Sequence, residues 1–425
     1  MNLAVIGSGG REHALCYKLK QSKSVKKLFC IPGNGGTKKI AENINIDISN
    51  FDTIYKTIKE KKIDYVIVGP EEPLVNGIVN FLIEKHIKVF GPDKFSSKLE
   101  GSKAFLKNLC KENKIPTANY EIFENLEKAK NFINKNKMPI VVKADGLAAG
   151  KGVSICNTKE DAILKAKEII SGKFKSSKKV IIEEFLEGEE LSYFSIVDEN
   201  TYCFFGSAQD HKRVGEGDTG PNTGGMGAYS SPKLLNNDLE VKIKRKIIDP
   251  TLNALKKMGH PFKGFLYTGL MIKNNEPFLI EYNIRLGDPE CQVLMMRLKT
   301  DFFDIIKAAM NNNLSSLKIE WSKDVSMTIV LCSKGYPGNY KKNSQIKNLN
   351  NITEDNKTRI FHAGTIERGN KIFSTGGRVL NVTVLEKNLL SCREKCIENL
   401  VKINWSDGFF RKDIGWREIN KNESD

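Results

Sequence analysis

Two side chains near residue 280 have the types and spacing needed to hold a divalent cation. Glu281 and Asn283 follow an apolar run at 277–280 and stand two residues apart. On an extended strand such residues share one face, which sets a carboxylate beside an amide oxygen. These oxygens suit Mg²⁺ or Mn²⁺ held jointly with nucleotide phosphates. Arg285 shares that face and can grip an oxyanion through two hydrogen bonds.

Asp288 stands before Pro289, a few residues further on, and allows two interpretations. Asp followed by Pro is typical of a helix N-cap with proline at the first helical position. The alternative is that the carboxylate faces a ligand. Both interpretations stay open at this point.

Residues 209–229, QDHKRVGEGDTGPNTGGMGAY, contain six glycines and five charged side chains and have little to bury. Glycine permits close backbone approach to a ligand. Asp210, Lys212 and Arg213 are suited to holding a small charged molecule. The alternative is a disordered surface loop.

A glycine-rich loop at 144–153 follows a predicted strand at 140–143 and precedes another strand. No Gly-Lys-Ser/Thr opens a helix there, so it is not a P-loop, yet its N–H groups can cover phosphates. A plain β-hairpin is the alternative. The residues that carry this interpretation are Lys143, Gly146, Gly150, Lys151 and Gly152.

An apolar strand at 180–183 runs into a strongly acidic stretch, which can offer backbone groups to an adenine edge and a carboxylate to ribose hydroxyls. A solvated acidic turn is the alternative. The residues concerned are Glu183, Glu184, Phe185, Leu186 and Glu190.

The first strand, at 3–6, leads into a glycine turn and an amphipathic helix. Free N–H groups at such a helix start favour a phosphate, with Gly9, Gly10 and Arg11 as its contacts. The dinucleotide fingerprint is rejected, because Glu12 takes the third glycine position and no ribose-binding carboxylate follows the second strand. A tight strand-to-helix turn is the alternative.

Elements that position these residues fall into three regions. Residues 1–101 alternate strands and helices, which predicts a Rossmann-like parallel sheet. Residues 102–323 predict a central α+β region with a mobile lid at about 117–190. Residues 324–425 predict a small β-rich domain, in which His362 is structural. The overall fold class is therefore α/β.

Composition excludes several classes of protein. The chain has 67 Lys and Arg against 51 Asp and Glu, a net charge of +16. The lysines are spread along predicted surface helices and are not grouped on one face. They accompany many Asn and Ile residues, and all three residue types have AT-rich codons, so a biased genome explains the positive charge. No nucleic-acid partner is therefore expected. No apolar run is long enough for a membrane. Nine scattered cysteines without a Cys-x-x-Cys pair favour a cytoplasmic protein. Oligomeric state is open, and a monomer fits.

Together the motifs resemble the glycinamide ribonucleotide synthetase family of the ATP-grasp superfamily along essentially the whole chain. The segments that carry the resemblance include GSGGREHAL, VGPEEPLV, EGSKAF, VVKADGLAAGKGV, IEEFLEGEE, the 209–229 run, GFLYTGLM, IEYNIRLGDPE, GYPGNY, FHAGT, GGRVL and FRKDIGW. Departures are mild, such as Ile284 and Leu286 beside Arg285 where relatives often carry Cys or Val and Phe.

The resemblance implies ATP-dependent joining of glycine to 5-phosphoribosylamine through an acyl phosphate, in purine synthesis. It assigns Lys103 and Lys143 to the ATP phosphates, the 146–152 loop to a lid, 183–186 to the adenine and Glu190 to the ribose. It assigns Glu281 and Asn283 to the metal, and Asp210, Lys212 and Arg285 to glycine and the acyl phosphate. It adds, as further substrate contacts, Pro221, Asn222, Thr223, Gly224, Gly225, Gly287 and Asp288.

Two rival functions remain open from the sequence. Another ATP-grasp ligase would release ADP with a different acceptor and no dependence on glycine. A non-catalytic nucleotide-binding regulator would bind ATP without turnover. The joint presence of Lys143, Glu281, Asn283 and Arg285 argues against the regulator.

Overall fold

The N-terminal region is a five-stranded parallel sheet with helices on both faces. The structure is a computed structural model that describes residues 1–148, 152–174 and 178–424. The elements of this region are β1 (Asn2–Gly7), α1 (Gly10–Lys20), β2 (Lys27–Pro32), β3 (Glu42–Asn43), α2 (Phe51–Glu60), β4 (Tyr65–Val68), α3 (Glu71–Asn76), α4 (Ile78–Glu84) and β5 (Lys88–Phe90). The strand order is β3-β2-β1-β4-β5, and every pair is parallel. The predicted Rossmann-like sheet is confirmed.

Burial explains why this sheet is parallel. Leu3 and Val5 pack with the core side of α1, while Ala4 and Ile6 pack with Ile54 and other residues of α2 and α4. A strand buried on both faces reads as a continuous apolar run, as β1 does. The glycine turn after β1 therefore lies at the carboxyl edge of the sheet, where ligands of such sheets bind.

A small subdomain with a four-stranded antiparallel sheet follows. Its elements, with the two preceding helices, are α5 (Lys98–Gly101), α6 (Lys103–Glu112), β6 (Tyr120–Phe123), α7 (Leu126–Lys135), β7 (Ile140–Ala144), β8 (Val153–Cys156), α8 (Lys159–Ile170) and β9 (Val180–Glu184). The order is β6-β9-β7-β8. Asn125 and Thr158 cap α7 and α8 by accepting a backbone N–H three residues on. The glycine-rich loop joins β7 to β8; Gly150 and Lys151 lie outside the described residues.

The rest of the chain is built on one nine-stranded antiparallel sheet. Its order is β16-β15-β10-β11-β14-β17-β22-β19, with β23 paired to β17. The central elements are β10 (Glu189–Val197), β11 (Tyr202–Asp210), β12 (Arg213–Gly215), β13 (Thr219–Asn222), β14 (Gly227–Ser230), α9 (Asn237–Ile243), α10 (Asp249–Lys257), β15 (Gly264–Lys273), β16 (Glu276–Asn283), α11 (Glu290–Arg297) and α12 (Phe302–Met310).

The last hundred residues extend this same sheet. Their elements are β17 (Val325–Ser333), β18 (Gln345–Ile346), β19 (Thr358–His362), β20 (Thr365–Arg368), β21 (Lys371–Ser374), β22 (Arg378–Glu386), α13 (Leu389–Leu400), β23 (Gly408–Phe409) and α14 (Trp416–Ser424). Because β14 pairs with β17, hydrogen bonds cross the predicted boundary at 323/324. Strands β18, β21 and β20 form a separate small sheet. Within the described ranges, no helix has the length and apolar character needed to cross a membrane.

Candidate active site

One cleft of about 510 Å³ lies where the N-terminal sheet, the four-stranded subdomain and the nine-stranded sheet meet. Strands β1, β11 and β16 end at this cleft, and residues at or just after their ends form part of its wall. The predicted residues that line it are Gly9, Arg11, Lys103, Gly146, Gly152, Asp210, Lys212, Thr223, Gly224, Glu281, Asn283, Arg285, Gly287 and Asp288. The structure thus brings together residues predicted for phosphate, metal and acceptor.

Other predicted residues lie behind or beside this wall. Glu183 is buried between two lysines, with its carboxylate 2.7 Å from Lys143 Nζ and 3.1 Å from Lys107 Nζ. The Lys143 ammonium thus makes an ion pair within the protein. Lys107 was missed, because a lysine in the middle of an amphipathic helix carries no local signal of burial.

The acidic stretch at 183–190 divides between the end of β9 and the start of β10 in the central sheet. Glu184 accepts a hydrogen bond from the backbone N of Asn119 at 2.9 Å. Phe185 and Leu186 are half-buried. Glu190 Oε2 lies 2.6 Å from Lys212 Nζ, so a residue predicted for the ATP ribose contacts one predicted for glycine.

Glu281 and Asn283 face the cleft from the end of β16, as their alternation on a strand predicts. Across the described ranges, no group of three or more His, Cys, Asp or Glu side chains is arranged to hold a metal ion. The two oxygen donors fit a hard cation whose remaining ligands come from phosphates and water. Lys103 lies near this pair: burial lowers the pKa of Lys103, while Glu281 acts in the opposite direction.

Arg285 is held by carboxylates from the N-terminal region. Its Nε lies 3.2 Å from Glu71 and its Nη2 lies 2.9 Å from Glu100, while Nη1 donates to the Leu286 carbonyl. Burial alone would raise the pKa of Glu71, but the Arg285 and Arg11 guanidiniums lower it to about 2. In Glu100 burial dominates and raises the pKa to about 7. These contacts engage three of the five guanidinium donors, and the side chain still faces the cleft.

The half-buried Asp210, the buried Glu290 and Lys212 also line the cleft. Asp210 ends β11, and burial, with help from Glu290 and Glu190, raises its pKa to about 7. Glu290 begins α11, lines the cleft and is 5% exposed. Its pKa is raised by burial, and Ser192 Oγ donates to it at 3.4 Å. The sequence reasoning missed Glu290, although it stands in the same IEYNIRLGDPE segment.

The glycine-rich stretch at 221–227 is held by two side chains from the C-terminal region. Gly224 N donates to the Tyr336 hydroxyl at 2.9 Å, and Arg378 Nη1 donates to the carbonyls of Gly224 and Asp288. A Cβ on Gly224 would lie 2.9 Å from the Arg378 Cζ atom, so the guanidinium needs glycine there. Pro221 is exposed, Asn222 ends the β12–β13 hairpin, and Gly225 adopts a φ of +113°.

The start of 209–229 is anchored by Arg411, whose side chain is 1% exposed. Arg411 lies 3.0 Å from Asp218 and 2.7 Å from Asp413, and it donates to the Arg213 carbonyl at 2.9 Å. His211 Nε2 accepts a hydrogen bond from Gly415 N at 2.9 Å. The segment is therefore folded against the FRKDIGW region, and the alternative of an unstructured surface loop is wrong.

The turn after β1 is shaped around Glu12. A Cβ on Gly7 would lie 2.4 Å from the Glu12 Cγ atom, and one on Gly69 would lie 2.1 Å from its Oε1. Glu12 accepts from Gly9 N at 2.6 Å and pairs with Arg11 at 2.5 Å. The residue that breaks the dinucleotide fingerprint therefore has its own structural place in the turn.

Asp288 does not cap its own helix, so the N-cap interpretation is wrong. Pro289 occupies the N-cap position of α11, which begins at Glu290. The Asp288 carboxylate instead accepts from Arg11 N at 3.3 Å and from Gln292 Nε2 at 2.8 Å. Gly10 packs beside these groups, since a Cβ there would lie 2.5 Å from Gln292 Nε2. Long-range packing outweighs the local capping rule here.

The fold and the cleft define an ATP-grasp protein: a parallel N-terminal domain, a four-stranded subdomain with a glycine-rich loop, and a central antiparallel sheet carrying the Glu281–Asn283 pair. Three family models agree along the chain. The phosphoribosylglycinamide synthetase N domain matches residues 1–100, its ATP-grasp (A) domain matches 101–291, and its C domain matches 326–417. The chain belongs to the phosphoribosylglycinamide synthetase family.

Similar proteins cover the same length. The phosphoribosylamine–glycine ligase of Brucella melitensis is 45% identical over 425 residues, all of both chains. The crystal structure of phosphoribosylamine–glycine ligase from Thermotoga maritima has a TM-score of 0.86 at 33% identity, covering 97% of this chain and 100% of that one. A biotin carboxylase domain from Hydrogenobacter thermophilus has a TM-score of 0.72 at 15% identity, covering 96% and 91%, and shares the fold. The expected fold class and family are confirmed.

Proposed function

We propose that this chain joins glycine to 5-phosphoribosylamine in an ATP-dependent reaction of purine synthesis, giving glycinamide ribonucleotide, ADP and phosphate. The observation that carries the proposal is the cleft of about 510 Å³, in which residues for phosphate, cation and a small amino acid face one another. The matches to all three domains of one ligase family support the choice of substrates.

The first step is phosphoryl transfer. A carboxylate oxygen of glycine attacks the γ-phosphorus of ATP, the bond to the β–γ bridging oxygen breaks, and ADP leaves glycyl phosphate behind. Such transfer depends on positioning and charge neutralisation rather than on a nucleophilic side chain. Lys103 and Arg285 supply fixed positive charge at the cleft wall.

Lys143 reaches phosphate only by exchanging part of its contact with Glu183. Its Nζ is 2.7 Å from that carboxylate, and an ammonium has three donors, so Glu183 can keep one while others turn to the nucleotide. The backbone of 183–186 takes the adenine edge and Glu190 takes the ribose in this proposal. Gly146 and Gly152, with Gly150 and Lys151, cover the phosphates.

Glu281 and Asn283 would hold Mg²⁺ or Mn²⁺ between them and the ATP phosphates. The donor set of one carboxylate and one amide oxygen fits such a cation. When bound, the cation would neutralise phosphate charge and fix the orientation of the chain of phosphates.

Glycine is recognised at its two charged ends. Asp210 and Glu290 are carboxylates on the cleft wall that suit the ammonium group. Lys212 lies beside Asp210 and carries a pKa raised by Glu190 and Asp210 in spite of burial, so it stays charged and suits the reacting carboxylate. Thr223 and Gly224 also line the cleft, and their small side chains leave room for a small amino acid.

The second step forms the amide. The nitrogen of phosphoribosylamine attacks the carbonyl carbon of glycyl phosphate, the bond from that carbon to the phosphate oxygen breaks, and the nitrogen loses one proton, which the released phosphate can accept. Gly287 and Asp288 line the cleft, and in this proposal they face the arriving amine. Closure of the lid over the acyl phosphate would keep water out.

Purified protein tests the proposal by ADP release with freshly made phosphoribosylamine. We expect ADP formation to need both glycine and the amine, with glycinamide ribonucleotide formed in equal amount. ADP release that continues unchanged without glycine would contradict the proposal.

All nine cysteines are free thiols in the structure, which supports a cytoplasmic setting for the reaction.

A further inference from the structure

A second cavity of about 300 Å³ opens from the active-site cleft towards the C-terminal region. The two spaces share part of their walls, namely Ser8, Gly9, Asp288, Tyr336 and Arg378. A ligand in the cleft can therefore extend into the second cavity along these shared residues. The steps proposed above leave this space unused.

Three glycine-containing segments meet to form the wall of this cavity. The Asn34 amide donates to the carbonyls of Ser8 and His362 at 2.9 and 2.7 Å and so joins the turn after β2 to the end of β19. A Cβ on Gly364 would lie 2.6 Å from the Gly376 Cα atom, so the loops on either side of the β20–β21 hairpin touch only as glycines. These contacts fix the three segments against one another, so the cavity has a defined wall.

The cavity offers hydrogen-bond donors and one cation. Hydroxyl groups come from Ser8, Thr365 and Thr375, and Arg378 stands at the junction with the cleft. The Thr365 hydroxyl is also hydrogen-bonded with His362 Nδ1 at 3.0 Å, so Thr375 and Ser8 are the hydroxyls without a protein partner among the described contacts. The described contacts of Arg378 all use Nη1, on the carbonyls of Gly224 and Asp288 and near the Asp288 carboxylate. Its Nε and Nη2 groups have no partner among the described residues. Such a set suits a polyol that carries an anionic group.

We infer that this second cavity binds the phosphoribosyl part of the amine substrate, with the phosphate near Thr365 and Thr375 and the amine at the mouth beside Asp288. The inference rests on the proposed function and adds the location of one substrate. It places Gly9 at the wall of both spaces. It moves the phosphate away from the start of α1, because Glu12 and Asp288 already accept the N–H groups of Gly9 and Arg11.

Binding of the reaction product tests this location. Calorimetry would compare glycinamide ribonucleotide, its phosphate-free riboside and inorganic phosphate on the intact protein. We expect Thr375→Val to weaken the ribonucleotide about tenfold, since a hydrogen bond to a charged group is lost, and to leave the riboside unchanged. Thr358→Val is the matched control, because Thr358 is a half-exposed threonine of the same region outside the cavity.

A second pair of variants separates charge from shape. Thr375→Asp and Thr375→Asn have nearly equal size, and only the first places a negative charge in the cavity, so it should weaken the ribonucleotide further. Equal affinities for these two variants, or equal losses for riboside and ribonucleotide, would overturn the location. If the wild-type protein makes no glycinamide ribonucleotide, the proposed function fails instead, whatever the variants bind. Unchanged ATP affinity in each variant shows that the fold is intact.

Discussion

Asp210 is proposed to bind the ammonium group of glycine, and its carboxyl group also has a raised pKa. The groups that face it are Lys212, which favours its charged form with some help from His211, and Glu290 and Glu190, which oppose it. Burial is the largest influence and places the pKa at about 7. Near neutral pH a part of the free enzyme therefore has a neutral Asp210, which cannot pair with an ammonium group.

We predict that the KM for glycine falls as the pH rises from about 6 to 8, because Asp210 loses its proton in this range. The free energy of unfolding changes in the unfavourable direction over the same range. Because the pKa of Asp210 in the folded protein lies above the usual value of 3.8, this carboxyl contributes less to stability as the pH rises through 7. Initial rates over the pH range would check the prediction, and Asp210→Asn should abolish the slope that Asp210 causes. A glycine KM with the same pH dependence in both proteins would contradict it.

Glu281 gives the metal proposal its test. We predict that Glu281→Ala abolishes turnover, since the remaining Asn283 amide is neutral and cannot hold a divalent cation by itself. Activity titrated with Mg²⁺ and with Mn²⁺ would show this. Glu276→Ala is the control, because Glu276 begins the same strand and pairs with surface lysines. Wild-type activity of Glu281→Ala at limiting Mg²⁺ would show that the metal lies elsewhere.

At the scale of elements, the loop that carries Lys212 depends on a distant arginine. Arg411 is almost fully buried and holds Asp218, while Arg417 reaches the same carboxylate at 2.7 Å from an exposed position. Removing one member of a buried, hydrogen-bonded charge network costs about 3 to 5 kcal/mol. An exposed ion pair contributes only about 0 to 1 kcal/mol.

We therefore predict that Arg411→Met lowers kcat and raises the glycine KM, whereas Arg417→Met changes both little. Arg411→Met should also lower the urea concentration at the midpoint of unfolding far more than Arg417→Met. Hydrogen exchange of 211–222 would report the loosening of the loop directly. Equal exchange in the two variants would mean that the loop is held by other contacts.

The local sequence pattern was enough to predict where the strands lie. It was not enough to predict which distant residues contact the side chains that follow them. The β4 strand spans 65–68 as expected from four consecutive apolar residues, and Glu281 and Asn283 share a face because side chains alternate. Asp288 satisfied a capping rule locally, but its carboxylate instead contacts the start of α1. Contacts between residues hundreds of positions apart leave no periodic signal in one sequence.

At the scale of the whole molecule, the site is assembled by regions that contribute little chemistry of their own. Helices α3 and α5 supply Glu71 and Glu100 to Arg285, and the C-terminal region supplies Arg378 and Tyr336 to the glycine-rich stretch. The GGRVL and GYPGNY segments were visible in the sequence without a role. Their role emerges only where β14 pairs with β17 and brings the C-terminal strands beside the cleft.

The contact between Glu71 and Arg285 makes the dependence on the N-terminal region measurable. Glu71→Gln keeps the shape and removes the charge that opposes the guanidinium, so Arg285 should sample positions away from the transferred phosphoryl group. We predict a fall in kcat of about tenfold, the size expected for one charge-assisted hydrogen bond, with little change in the KM for ATP. Glu72→Gln, at the next and exposed position of α3, is the matched control and should behave as wild type. Glu71→Asp should recover part of the rate, because it restores the charge at a shorter reach. If Glu71→Gln and Glu72→Gln have equal kcat, then Arg285 is positioned without Glu71. Steady-state kinetics of the three variants decides between these outcomes.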